Sequence, residues 1–158
     1  MIKQTKQRSF WCDTCHVPLM ENTCQACGFK SRDISSATLV PVFTPELQYL
    51  KKQVPAFLHP LLKEGEIWIS PGNCTYYCQG IPILKLVAGN GKATVLIDST
   101  EIQPLNRSKK RVIETLQKAN KNVVEYLQYE AEDFIRNTID SFKGKTVMVS
   151  FSGGKDST

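Results

Sequence analysis

The chain has 158 residues, enough for one ordinary domain or for two or three small ones. Hydrophobic residues make up 41% of it, and no stretch approaches the ~18 consecutive apolar residues of a membrane helix. The basic N-terminal segment has no apolar core behind it, which excludes a secretory signal and favours a cytoplasmic protein without a membrane partner. The net charge of +5 permits a nucleic-acid partner, although a solvated basic surface explains it equally well.

Four of the six cysteines form two C-x2-C pairs near the N-terminus. The pairs are Cys12 with Cys15 and Cys24 with Cys27. Two such turns facing each other complete a tetrahedral zinc site, and in a chain without an export signal this spacing indicates metal binding rather than disulfides. The segment resembles a zinc ribbon, so residues 1–33 are expected to bind a structural zinc ion. His16 is expected to lie beside the ligands or to be exposed.

Residues 34–104 are predicted to form a small, mostly β module. Pro41 and Pro45 argue against helix in the first part of it, and a short helix is predicted over residues 46–53. From residue 65 onward, short β-rich runs alternate with glycine-containing turns, which predicts a four-stranded antiparallel meander over residues 65–99.

Details of this module leave two interpretations open. Asn90-Gly91 between two apolar runs predicts a hairpin turn. Cys74 and Cys78 are predicted to be small buried residues on one face of a strand, too far apart for a disulfide. The aromatic residues of the region are expected to fill the core of the sheet; the alternative is a surface on which RNA bases stack. These residues are Trp68, Tyr76 and Tyr77.

Residues 105–143 contain neither glycine nor proline, and apolar residues recur in steps of three or four. This pattern predicts an amphipathic helix of about 30 residues that connects two bodies or breaks near residues 120–122. Its first turns are basic, with Arg107, Lys109, Lys110 and Arg111. Phosphate contact and a solvated face both explain these charges.

The last residues, KTVMVSFSGGKDST, are typical of an apolar strand over residues 146–151 that runs into a glycine turn. Gly153 and Gly154 allow the backbone to approach a ligand closely, and successive N–H groups then bind an anion. The segment is not a Walker P-loop, because Val149 and Asp156 occupy positions that this motif reserves for Gly and for Ser or Thr.

The glycine turn resembles the S-G-G-x-D-S pyrophosphate loop of the ATP-pyrophosphatase (PP-loop) superfamily. The matching residues are Ser152, Gly153, Gly154, Lys155, Asp156 and Ser157. The resemblance implies a backbone cradle for the phosphates of an adenine nucleotide, assisted by the Ser152 and Ser157 hydroxyls. It also implies that Lys155 balances phosphate charge and that Asp156 binds Mg²⁺ or caps the turn.

Within that superfamily the sequence is most similar to the phosphoadenosine phosphosulfate (PAPS) reductase-like group, some members of which place a zinc ribbon and a β module before the nucleotide domain. The resemblance implies the N-terminal part of an enzyme that binds ATP or a PAPS-type nucleotide with Mg²⁺ and acts on sulfur. Its catalytic residues would lie outside these 158 residues, so the chain alone is expected to be inactive. The alternatives are a tRNA-thiolating enzyme of the same superfamily and a non-enzymatic zinc module that binds RNA or protein.

The expected fold class is therefore modular α+β. A zinc ribbon and a small antiparallel β module are followed by a connecting helix over residues 105–143. Residues 144–158 are expected to be the first strand and phosphate loop of a truncated α/β nucleotide-binding domain.

Overall fold

The computed structural model describes residues 8–35, 38–87, 91–98, 102–146 and 148. The chain divides into two compact units, Met1–Val123 and Val124–Thr158. Within the described ranges the architecture is α+β, with two antiparallel sheets and three α-helices. This confirms the broad fold class.

The first sheet has three strands in the order β2-β1-β3. The strands are β1 (Ser9–Cys12), β2 (Val17–Leu19) and β3 (Arg32–Ser35). β1 and β2 form a hairpin in which Cys12 pairs with Val17, so the turn between them contains Cys15. The sheet thus brings the first cysteine pair to the end of a hairpin.

The second sheet has five strands in the order β4-β5-β6-β7-β8. The strands are β4 (Val40–Pro41), β5 (Ile67–Ser70), β6 (Thr75–Cys78), β7 (Ile81–Leu86) and β8 (Ala93–Val95). Strands β5 to β8 confirm the predicted four-stranded meander. The short strand β4 adds an edge on which Pro41 is tolerated, because an edge strand leaves one row of N–H groups unpaired. Strands β7 and β8 pair as the predicted hairpin requires, and Asn90 of the predicted turn lies outside the described residues.

Helix α1 (Thr44–Gln53) begins two residues before the predicted start at residue 46. The expectation that Pro45 excludes helix is wrong, because Pro45 lies in the first turn, where a backbone N–H has no partner within the helix. Leu47 and Leu50 of α1 are buried in a core shared with the second sheet. A single turn of 3₁₀ helix (Ala56–Leu58) follows.

The aromatic residues of the second sheet are buried. Trp68, Tyr76 and Tyr77 are 3%, 2% and 6% exposed. This confirms the core interpretation, and the proposed stacking surface is wrong because these rings are covered by their own fold. Cys78 is buried as predicted, but Cys74 is half-buried in the turn before β6 with φ of 52°, so it does not belong to the regular strand.

The predicted long helix is broken at Asn120, as the second of the two interpretations expected. Helix α2 (Lys109–Ala119) ends there, and helix α3 (Lys121–Ser141) follows. Ser108 caps α2 by accepting a hydrogen bond from the Arg111 N–H. None of residues 121–141, all of which the structure describes, is buried.

A second apolar cluster joins both sheets to α2. It contains Trp11, Leu39, Trp68, Tyr77 and Val112. The residues of the predicted ribbon and of the predicted β module therefore share one core inside the first compact unit.

The predicted phosphate loop, residues 152–157, lies outside the described residues, as does most of the strand predicted before it. Met148, which lies within the predicted apolar strand, is described and is 89% exposed. None of the helices in the described part of the chain combines the length and the apolarity that crossing a bilayer requires.

Candidate metal centre

The two cysteine pairs lie in two turns with the same backbone geometry. The first knuckle is residues 12–16 and the second is residues 24–28. In each, the residue after the second cysteine has a left-handed backbone: φ is 52° at His16 and 77° at Gly28. The N–H of that residue donates to the carbonyl of the first cysteine, at 2.7 Å in the first knuckle and 2.8 Å in the second. Each turn therefore presents both of its thiols to the same side.

The four sulfur atoms form a compact cluster. The Sγ atoms of Cys12, Cys15, Cys24 and Cys27 all lie within 4.8 Å of one another. Cys12 and Cys27 are 3.5 Å apart, and Cys15 and Cys24 are 3.8 Å apart. A tetrahedral zinc ion with Zn–S bonds of about 2.3 Å requires sulfur atoms about 3.8 Å apart. The separations in the cluster lie close to this value, so these residues are arranged to hold a metal ion.

Burial makes the thiolate forms of this cluster unfavourable unless a positive charge compensates them. Burial is the main cause that raises the pKa of the Cys12 and Cys15 thiols, since it disfavours the thiolate. At Cys27 burial acts in the same direction, but hydrogen bonds from the Phe29 N–H and from the other thiols outweigh it and lower the pKa. A divalent cation at the centre would compensate the negative charge of these desolvated thiolates.

His16 lies beside the cluster and is not one of its ligands. It is half-buried, and it lies outside the group of potential metal ligands found among the described residues. Burial lowers the pKa of its imidazole, and the positive charge of Arg107 lowers it further. The expectation that four thiolates leave His16 without a metal-binding role is consistent with this placement.

Arg107 is a neighbour of the cluster that the sequence did not reveal. Its Nη1 donates to the Cys15 carbonyl at 2.9 Å, and its Nη2 donates to the His16 carbonyl at 3.1 Å. The same guanidinium forms a bidentate pair with Glu66, at 3.0 Å to Oε1 and 2.9 Å to Oε2. Side-chain exposure is 15% for Arg107 and 5% for Glu66, so this pair is largely removed from water.

The basic start of the helix is therefore not uniform. Arg107 donates hydrogen bonds to the carbonyls of Cys15 and His16 and to both carboxylate oxygens of Glu66. Lys109 pairs with Glu64 at 2.7 Å. The phosphate-contact interpretation is wrong for Arg107, because all of its contacts hold the fold together. Lys110 and Arg111 are exposed, as the solvated-face interpretation expected.

The other end of α2 contacts the first sheet and the second knuckle. The Gln25 N–H donates to the Ala119 carbonyl at 3.0 Å, and Ala119 packs in a cluster with Cys12 and Cys24. The Asn120 Oδ1 accepts from the Met20 N–H at 2.9 Å, and its Nδ2 donates to the Pro18 carbonyl at 3.1 Å. The structure thus brings together the four predicted ligands and adds Arg107 and Asn120 around them.

The chemistry that this centre supports is structural. Four protein thiolates fill the coordination sphere of zinc, so no position remains for a water or a substrate. The predicted nucleotide-binding residues, 152–157, are not described, so they are not placed relative to the cysteines. No protein-family model, no curated protein and no solved structure matches the chain.

Proposed function

We propose that the chain is a zinc-stabilised part of a PAPS reductase-like enzyme of the PP-loop superfamily. Its zinc ion is held by Cys12, Cys15, Cys24 and Cys27. Its nucleotide phosphates are bound by the loop of residues 152–157. The observation that carries the zinc assignment is the spacing of the four sulfur atoms. The nucleotide assignment rests on the sequence S-G-G-K-D-S alone.

The zinc ion acts as the core of the first sheet. Residues 8–35 carry three short strands of three or four residues each. A segment of that size buries too little apolar surface to fold alone, so metal binding and folding are coupled. The sheet then provides Trp11 to the cluster that it shares with the second sheet.

The tRNA-thiolating alternative has a similar ribbon and loop, but enzymes of that group usually lack a module such as residues 34–104 between the two, which makes this alternative the second choice. The non-enzymatic RNA-binding alternative loses its main support, because Trp68, Tyr76 and Tyr77 are buried and offer no rings to RNA bases. A PAPS reductase-like enzyme therefore remains the function that we favour.

The zinc assignment is tested by metal analysis of the purified chain. We expect one zinc ion per chain, and we expect Cys24→Ser to bind less because a tetrahedral thiolate site loses a ligand. Cys74→Ser is the matched control, since Cys74 is half-buried and lies outside the cluster. A folded wild-type chain without metal would refute the assignment.

The nucleotide assignment is tested on the protein expressed from the complete reading frame that contains these residues. Calorimetric titration with Mg²⁺-ATP, adenylyl sulfate and PAPS is expected to reveal binding of at least one nucleotide. Gly154→Val should abolish it, because a side chain at that position prevents close approach of the phosphates. Gly72→Val is the control, since nothing lies within 4 Å of its added Cβ. Binding that is unchanged by Gly154→Val would contradict the proposal, and thiolation of tRNA by the same protein would favour the alternative enzyme.

A further inference from the structure

Helix α2 contacts both knuckles, although it is far from them in sequence. Arg107, just before the helix, lies 92 residues from its acceptor Cys15 and 91 residues from its acceptor His16. At the other end of the helix, Ala119 accepts a hydrogen bond from Gln25, the residue that follows the ligand Cys24. Each end of α2 is thus hydrogen-bonded to a different half of the cysteine cluster.

At the first knuckle, Arg107 fixes two consecutive peptide groups. His16 has φ of 52°, a left-handed conformation that is unfavourable for a residue with a side chain. The guanidinium is planar, and two of its N–H groups bond to the carbonyls of Cys15 and His16, which fixes the turn in this conformation. Glu66 binds the same guanidinium through both of its oxygen atoms, which fixes the orientation of the Arg107 side chain toward the knuckle.

Near the second knuckle, helix α2 ends, and its last residues contact the first sheet. Asn120 bonds to the backbone of Pro18 and Met20, at the end of strand β2. Ala119 is 1% exposed and packs against the apolar side of the cysteine cluster. The helix therefore ends where its last residues contact the metal site.

We infer that Arg107 and Asn120 are positioning residues of the zinc site, and that zinc binding and the docking of α2 are one coupled equilibrium. This inference rests on the proposed zinc site. Because coupling between two binding events is reciprocal, removing an anchor of α2 weakens zinc binding, and removing zinc releases α2. Zinc then does more than fold a small ribbon: it fixes a helix that is encoded about 90 residues later.

The first test measures zinc affinity of the whole chain by competition with a chromophoric chelator. Arg107→Met should weaken zinc binding by about tenfold or more, the range seen when a residue that orients metal ligands is removed. Lys109→Met is the charge-matched control, because the partner of Lys109 is Glu64, which lies outside both knuckles. Leu58→Ala is the stability control, since it weakens the core of the second sheet. Equal zinc affinity in Arg107→Met and wild type overturns the inference, as does an equal loss in Leu58→Ala.

The second test uses the unmodified chain, so it holds even if Arg107→Met does not fold. Hydrogen exchange is measured with zinc and after chelation. We expect the amides of α2 to lose protection on chelation while those of β5 to β7 retain it. If α2 keeps its protection, or if β5 to β7 lose theirs to the same extent, the inference is wrong.

The two tests also separate the inference from the proposed function. If the wild-type chain binds zinc tightly but Arg107→Met keeps its zinc affinity and α2 keeps its protection on chelation, the coupling is wrong and the proposed zinc site stands. A folded wild-type chain that binds no zinc contradicts both the coupling and the proposed zinc site.

Discussion

Helices α2 and α3 have the same amphipathic pattern and different surroundings. Helix α2 buries Val112 and Ala119, and the Ala119 carbonyl at its C-terminal end accepts a hydrogen bond from the Gln25 N–H of the second knuckle. Helix α3 has 21 residues and buries none of them; Phe134 and Ile135 are 71% and 56% exposed. Periodicity in the sequence thus predicts a helix and identifies its apolar face, but it carries no information about what covers that face.

The break between the two helices has a tertiary cause. Asn120 has the backbone conformation of a helix end, and its side chain bonds to Pro18 and Met20 of the first sheet. Asn has only moderate helix propensity, so a few hydrogen bonds outside the helix are enough to end it there. Helix α2 is therefore held by packing against both sheets and by hydrogen bonds near the cysteine cluster.

The largest expected effect comes from removing Glu66. Glu66→Ala leaves the Arg107 guanidinium with an uncompensated, largely buried charge, which typically costs about 3–5 kcal/mol. The free energy of unfolding is measured with denaturant by the fluorescence of Trp11 and Trp68, both of which lie in the first unit. Glu64→Ala, which removes an exposed pair with Lys109, should have a much smaller effect. If the two variants lower the free energy of unfolding equally, the buried Arg107–Glu66 pair stabilises the fold no more than the exposed Lys109–Glu64 pair does.

The next largest effect is expected at Gly80, where the two sheets meet. A Cβ at Gly80 would lie 2.4 Å from Cγ of Trp11, and φ is 73° there. Gly80→Ala should lower the free energy of unfolding by about 2–4 kcal/mol, from overpacking together with left-handed strain. Gly72→Ala is the control, because nothing lies within 4 Å of its added Cβ. A Gly80→Ala chain as stable as Gly72→Ala would show that the two sheets do not share a core.

Two substitutions with smaller expected effects test the difference in burial between helices α2 and α3. Val112→Ala in α2 removes buried methyl groups and should cost about 1–2 kcal/mol. Phe134→Ala in α3 should change the free energy of unfolding by no more than about 0.5 kcal/mol, because the ring is exposed. Denaturation followed by circular dichroism reports on both helices. A larger loss from Phe134→Ala would show that the face of α3 is covered in solution.

The sequence predicts those features whose interacting residues lie close together along the chain. The ligands Cys12 and Cys24 were found because their partners lie three residues away, and the meander was found because its strands are joined by short turns. Arg107 was not found, because its acceptors lie about 90 residues away and a basic residue before a helix has the same pattern whether it is exposed or buried. The prediction for Pro45 is wrong because proline is excluded from helix interiors but favoured in the first turn. Which of the two applies depends on where the helix begins.

The smallest expected effect compares the two knuckles at equivalent positions. His16 and Gly28 both have left-handed backbones, but only Gly28 adopts that conformation without strain. His16→Gly should remove roughly 1–2 kcal/mol of strain and lose up to about 1 kcal/mol through the greater freedom of the unfolded chain, for a net gain of about 0.5 kcal/mol. The carbonyl that accepts from Arg107 is retained, so the contact with α2 is unchanged.

Gly28→Ala supplies the reverse substitution. It introduces the strain that His16 already has and regains up to about 1 kcal/mol because Ala has less freedom than Gly in the unfolded chain, so the expected net loss is about 0.5 kcal/mol. Nothing within 4 Å of the added Cβ opposes the substitution sterically. Both variants are compared with wild type by denaturant unfolding at one fixed zinc concentration, since bound metal adds to the stability of the folded chain. If His16→Gly destabilises the chain instead, the half-buried imidazole contributes more through packing than its backbone conformation costs, and the equivalence of the two knuckles is limited to their backbones.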